Sequence, residues 1–167
     1  MERWRAIDTV SEAEARNLLR ICCGANRWIE HMLARRPFGS QERALRAARE
    51  EWFALSPDDW REAFTHHPRI GDLESLRQKY AAAQDLSARE QVGVSSASPE
   101  LLAELLAANR EYEARFGYIF IVCATGRSAG DMLEMLRRRL RNSAEEEILI
   151  AAEEHARICE LRLLAPA

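Results

Sequence analysis

Phe116-Gly117-Tyr118-Ile119-Phe120-Ile121-Val122-Cys123-Ala124 holds the one β-like run of the 167-residue chain. A single strand cannot form a sheet. The run at 118–124 is therefore either an extended segment threaded through helices or the start of a buried helix. Its flanks are helical. Pro99 sits where the first turn of a long helix would take it, and Phe116-Gly117 is where that helix should end. Beyond the run, Ser128-Ala129-Gly130-Asp131 and Ser143-Ala144-Glu145-Glu146 each place a serine ahead of acids, as a helix N-terminus requires.

The same punctuation recurs toward the N-terminus. Ser11-Glu12-Ala13-Glu14 reads as a capping box. After it Leu18, Ile21, Cys22, Ala25, Trp28, Ile29 and Met32 follow helical spacing, so one helix is predicted from Ser11 to about Leu33. Arg36-Pro37-Phe38-Gly39 breaks the pattern. Ser40 starts a helix through Leu55, with Ala44, Leu45, Ala48, Trp52 and Phe53 inward. Ser56-Pro57-Asp58-Asp59 starts the next, which carries Trp60, Ala63 and Phe64 and must stop before Pro68. Asp72 can cap a short helix through Ala83, and Ser87 begins another. The predicted fold is all-α: a single domain over 1–167, seven to eight helices, and one extended segment near 118–124.

Composition agrees. Hydrophobic residues make up 47% and charged residues 31%, with only seven glycines and five prolines, as expected of long, little-interrupted elements around a core. The net charge of −3 gives no electrostatic footprint for nucleic acid. The basic run Arg137-Arg138-Arg139 with Arg141 is expected on a solvated helix face, where it also suits the C-terminal dipole. Cys22, Cys23, Cys123 and Cys159 show no C-x-x-C spacing and are expected as reduced or buried thiols. No stretch approaches the roughly 18 apolar residues of a spanning helix, and Met1-Glu2-Arg3-Trp4 lacks the apolar start of a signal peptide. The expectation is a cytoplasmic protein away from the membrane.

Three segments carry groups suited to chemistry. In Thr65-His66-His67-Pro68-Arg69-Ile70-Gly71, an imidazole at the end of a helix can exchange a proton near neutral pH. A helix-capping histidine beside an exposed one accounts for the same letters. Ser87 and Glu90 have the spacing of a capping box. The amides of that helix start, with Gln91, also suit a polar ring-shaped ligand. The run from Phe120 to Ala124 is either buried core or a main-chain ribbon able to pair with ureido and imide groups.

In order and spacing, these segments join others. They are Cys23-Gly24, Trp28, Met32 and Arg36-Pro37-Phe38, then His67-Pro68 with Ile70-Gly71, then Ser87-x-x-Glu90-Gln91-x-Gly93. Tyr112-x-x-Arg115-Phe116-Gly117-x-x-Phe120-Ile121-Val122-Cys123, Gly126-Arg127-Ser128, Glu153 and Arg162-Leu163 follow. Taken together the chain resembles the decarboxylases of 2-oxo-4-hydroxy-4-carboxy-5-ureidoimidazoline (OHCU) over roughly residues 18 to 164.

The resemblance implies a cofactor-independent carboxy-lyase that converts OHCU to (S)-allantoin and CO2 in urate breakdown, and it implies a homodimer. It assigns His67 as the catalytic histidine and Glu90 as its acidic partner. Pro68, Ser87, Ala88, Arg89, Glu90, Gln91, Phe120, Ile121, Val122, Cys123 and Ala124 correspond to the substrate-contacting positions. No metal is implied. Arg69 departs from the acid that follows His-Pro in many members, and Arg127 lies near enough in sequence to attract a carboxylate. Two other readings compete. A metal-dependent hydrolase built on His66, His67, Asp72 and Glu90 lacks any H-x-x-x-H or H-E-x-x-H spacing. A non-enzymatic helical interaction module predicts that His67, Glu90 and the 120–124 segment do not meet.

Overall fold

The computed structural model describes residues 1–67 and 98–167. Among these it contains eight helices and no strand. They are α1 (Arg3–Thr9), α2 (Glu12–Cys22), α3 (Asn26–Ala34), α4 (Gln41–Phe53), α5 (Pro57–Thr65), α6 (Pro99–Phe116), α7 (Ala129–Arg139) and α8 (Ala144–Leu164). The all-α expectation holds, and 118–124 lies outside every helix, between α6 and α7. The helices expected at 72–83 and from Ser87 lie outside the described residues.

Serine sets most helix starts. Ser11, Ser56 and Ser128 complete capping boxes with Glu14, Asp59 and Asp131. The Ser40, Ser98 and Ser143 hydroxyls accept from the Arg43, Leu101 and Glu146 amides at 3.1–3.2 Å. Each such cap contributes about 1 kcal/mol by satisfying an otherwise unpaired amide. Pro57 and Pro99 occupy first-turn positions. Gly117 ends α6 at φ 79°, a left-handed conformation in which a Cβ is unfavourable.

Three expectations are corrected. The predicted helix from Ser11 to about Leu33 is two helices, α2 and α3, separated at Cys23-Gly24-Ala25. Cys23 is extended (φ −144°, ψ 133°), and Ile21, expected inward, is exposed. Phe53 is likewise exposed, while Ala47 takes an inward place beside Ala44 and Ala48. Helix α1 carries no side-chain cap on Glu2, so nothing local announces it. It is held by burial of Trp4, Ala6 and Ile7.

The chain groups into two compact units, Met1–His66 with Ile150–Ala167, and His67–Leu149. In the first, α1 packs on α2 and α4, α2 on α3, and α3 on α4. Its buried tryptophans also satisfy their indole N–H groups, as buried polar groups must. Trp28 donates to the Ala48 carbonyl, Trp52 to Ala152 and Trp60 to Trp52, each at 2.9 Å. The Arg36–Pro37 peptide is cis, and Asp8 accepts from the Phe38 and Gly39 amides that follow it, at 2.9 and 2.8 Å. In the second unit α6 packs along α7. Among the described residues no helix is long and apolar enough to cross a membrane.

Candidate active site

Helix α5 ends at Thr65, three residues before Pro68, because a residue preceding proline is pushed out of the helical region, and the two histidines fall on the exit. His66 is the C-cap (φ −83°, ψ −3°), and its amide donates to the Ala63 carbonyl at 3.1 Å. The His66 ring lies against Gly24, where an added Cβ would come within 2.3 Å of it. The Cys23-Gly24 motif thus makes room for the residue before His67. His67 is half-buried and opens the second unit.

The extended segment belongs to that same unit. Phe120, Ile121, Val122 and Cys123 are buried, and Ala124 is half-buried. Their side chains are core. Any polar recognition by this segment therefore falls to its main chain.

A buried polar cluster fixes the segment. Arg139, 3% exposed, donates through Nη1 to the Ile121 carbonyl at 2.7 Å. Its Nε donates to Glu147 Oε1, also at 2.7 Å, and Glu147 is fully buried. The Tyr112 hydroxyl donates to the same carboxylate, and Asn142 Nδ2 donates to its other oxygen at 2.9 Å. The guanidinium lies 4.5 Å from the centre of the Phe120 ring, a cation–π contact. Burial pushes the Tyr112 phenol far above its ordinary range, opposed by the Arg139 charge, so Tyr112 remains a neutral donor. A charge pair this deep persists only when its polar atoms are hydrogen-bonded, and here every nitrogen of the guanidinium and both carboxylate oxygens have a partner.

This overturns one expectation. Arg137 and Arg138 face solvent, but Arg139 does not. Three consecutive helical residues sweep about 200° around the axis, so one of three arginines turns toward the core. Glu147 stands in the same relation to exposed Glu145 and Glu146. That geometric limit on a like-charged run was the signal available in the sequence.

Arg127 is half-buried, with its guanidinium on the Met135 thioether at 2.9 Å. The four cysteines are free and buried, as expected. Pro68, Ser87, Ala88, Arg89, Glu90 and Gln91 lie outside the described residues, as does Asp72. Other motif residues serve the first unit. Trp28 and Met32 are core, Glu153 pairs with Arg49 at 2.6 Å, and Arg162 donates to the Ile21 and Cys22 carbonyls at the end of α2, both at 3.2 Å.

The family model for OHCU decarboxylase matches residues 8–164. The chain belongs to the OHCU decarboxylase family. A crystal structure of an OHCU decarboxylase determined in the presence of (S)-allantoin is 35% identical, with a TM-score of 0.70 over 86% of this chain and 92% of that one. The uric acid degradation bifunctional protein TTL of Arabidopsis thaliana is 37% identical over 145 residues, 86% of this chain. The 2-oxo-4-hydroxy-4-carboxy-5-ureidoimidazoline decarboxylase of Amia calva is 30% identical over 97 residues, 58% of this chain. This OHCU decarboxylase family member spans 44% of the Arabidopsis protein and 55% of the Amia one.

Proposed function

We propose that this chain decarboxylates OHCU to (S)-allantoin and CO2 in urate breakdown, as one catalytic domain over residues 1–167. The observation that carries the reading is its 35% identity to an OHCU decarboxylase determined with (S)-allantoin, over 92% of that protein. The family match over residues 8–164 supports the single domain.

The substrate itself explains why so few protein groups suffice. OHCU carries its carboxylate on the ring carbon that also bears the hydroxyl. When CO2 leaves, the bonding pair forms a C=C bond to the ureido-bearing carbon as the C=N π pair shifts to nitrogen. Proton uptake at that nitrogen and at the ureido-bearing carbon, with loss of the hydroxyl proton, then gives the carbonyl of allantoin. The substrate is its own electron sink, so no organic cofactor is needed for that purpose. What remains for the protein is to hold the carboxylate out of the ring plane, stabilise developing charge and protonate one face.

In this proposal His67 is the acid–base group at the reacting ring, and Glu90 orients it and engages the hydroxyl or a ureido N–H. Pro68, Ser87, Ala88, Arg89 and Gln91 line the substrate. Main-chain groups of Phe120, Ile121, Val122, Cys123 and Ala124 pair with the ureido and imide functions. Two observations support these roles. His67 stands half-buried at a helix exit, and the buried Arg139 holds the Ile121 carbonyl in place. We further propose a homodimer in the cytoplasm. The four free thiols fit that compartment, and the dimer rests on family resemblance.

Stereochemistry tests the activity. Uncatalysed decay of freshly generated OHCU gives racemic allantoin, so optical rotation reports the enzyme's share. A growing rotation of the S sign, proportional to protein added, is expected. Allantoin formed at the uncatalysed rate, without rotation, would refute the proposal.

A further inference from the structure

We infer that Cys23, His155 and Cys159 form a structural site for a thiophilic divalent cation, Zn2+ by chemistry. The inference is independent of the decarboxylase reading, because it uses none of the residues placed at the substrate. All three residues lie in the first compact unit. Their ligating atoms all fall within 4.8 Å of one another, and all three side chains are buried.

Each ligand is delivered by a defined piece of the fold. His155 and Cys159 are one helical turn apart on α8, so they share a face, and His155 Nδ1 lies 3.3 Å from Cys159 Sγ. The imidazole stacks on Trp52, with ring centres 4.3 Å apart at 18°, which fixes its orientation. Cys23 comes from the break between α2 and α3. There the chain is extended, and Arg162 anchors the preceding carbonyls.

Geometry and charge both suit zinc. Zn–S bonds of about 2.3 Å and Zn–N bonds of about 2.0 Å place tetrahedral ligand atoms roughly 3.5–3.8 Å apart. The observed spacing needs adjustment by no more than about an ångström. Binding forms two Zn–S bonds and one Zn–N bond and releases the two thiol protons to solvent. Two thiolates then cancel the dipositive charge, leaving a neutral centre where an isolated charge would be costly. Soft sulfur and imidazole donors select Zn over hard cations such as Mg or Ca. The site would tie the α2–α3 break to α8. Cys22 stands beside the trio but turns away, its thiol donating to the Leu18 carbonyl at 3.5 Å.

The site is buried, so the ion must enter as the chain folds. Cells grown in cobalt-supplemented minimal medium supply Co2+ at that stage, and Co2+ reports sulfur ligands by thiolate-to-cobalt charge-transfer absorption. The purified protein is expected to carry about one cobalt per chain, with that absorption present. Cys22→Ala should keep the band, and Cys159→Ala, which removes one of the two thiolates, should cost about half of it or more, with Cys159→Ser as substitute if the alanine variant does not fold. Folded parent protein without bound cobalt, or with cobalt and no charge-transfer band, would overturn the site. A band of undiminished intensity after replacement of Cys159 would overturn it as well.

Discussion

Replacing His67 by asparagine is expected to leave the urea midpoint of unfolding at the parent's value and to slow OHCU decarboxylation by about 10²–10⁴-fold, the share a positioned acid–base group supplies. The stability half of the result follows from placement. His67 is half-buried beyond the last residue of α5, outside the backbone ladder of that helix. Asparagine keeps a polar group of similar reach but neither gives nor takes a proton near neutral pH. A histidine that only capped the helix would show the opposite pattern, with a small stability loss and intact turnover. Measuring kcat and the urea midpoint on one preparation separates the two roles. His66→Asn provides the contrast, since His66 is exposed and lies against Gly24, and its replacement should spare kcat.

Arg139→Met should be the most destabilising single change in the second unit. Removing one member of a buried pair leaves the other charge uncompensated, at a cost of about 3–5 kcal/mol. Glu147 would retain Tyr112 and Asn142 as donors but lose its counter-charge. The Ile121 carbonyl would lose its donor at the same time. Domain stabilities are about 5–15 kcal/mol, so a large fraction disappears, and urea unfolding will read it. The double variant Arg139→Met with Glu147→Leu should recover much of the loss, because a well-packed apolar replacement of a buried pair is often neutral. It does not restore the donor on Ile121. Stability should thus return further than activity does, which is the signature of a pair that positions the 120–124 main chain.

The helix starts were legible because their physics is local. Serine immediately ahead of a helical run, proline in the first turn and glycine past the last each act within one turn of chain. They placed α4, α5, α6, α7 and α8 to within a residue or two at their starts. The link between α2 and α3 was not legible. Cys22, Ala25, Trp28 and Ile29 keep helical spacing across three non-helical residues, so periodicity runs on where hydrogen bonding stops. Helix α1 escaped notice because its stability comes from tertiary burial of Trp4 and Ile7, with no side-chain cap. Within the candidate site, a histidine before proline and an apolar run with no partner strand were visible as letters. The Arg139–Glu147 pair was not, since a run of like charges does not reveal which member faces inward until neighbouring helices are in place.

A crystal of this protein soaked with (S)-allantoin tests most directly whether residue 67 and the main chain after residue 119 serve one ligand. The account predicts product with a ring or ureido polar atom in hydrogen-bond reach of the His67 imidazole, and with amides or carbonyls of residues 120–124 on its other edge. Product bound elsewhere, touching neither, would contradict it.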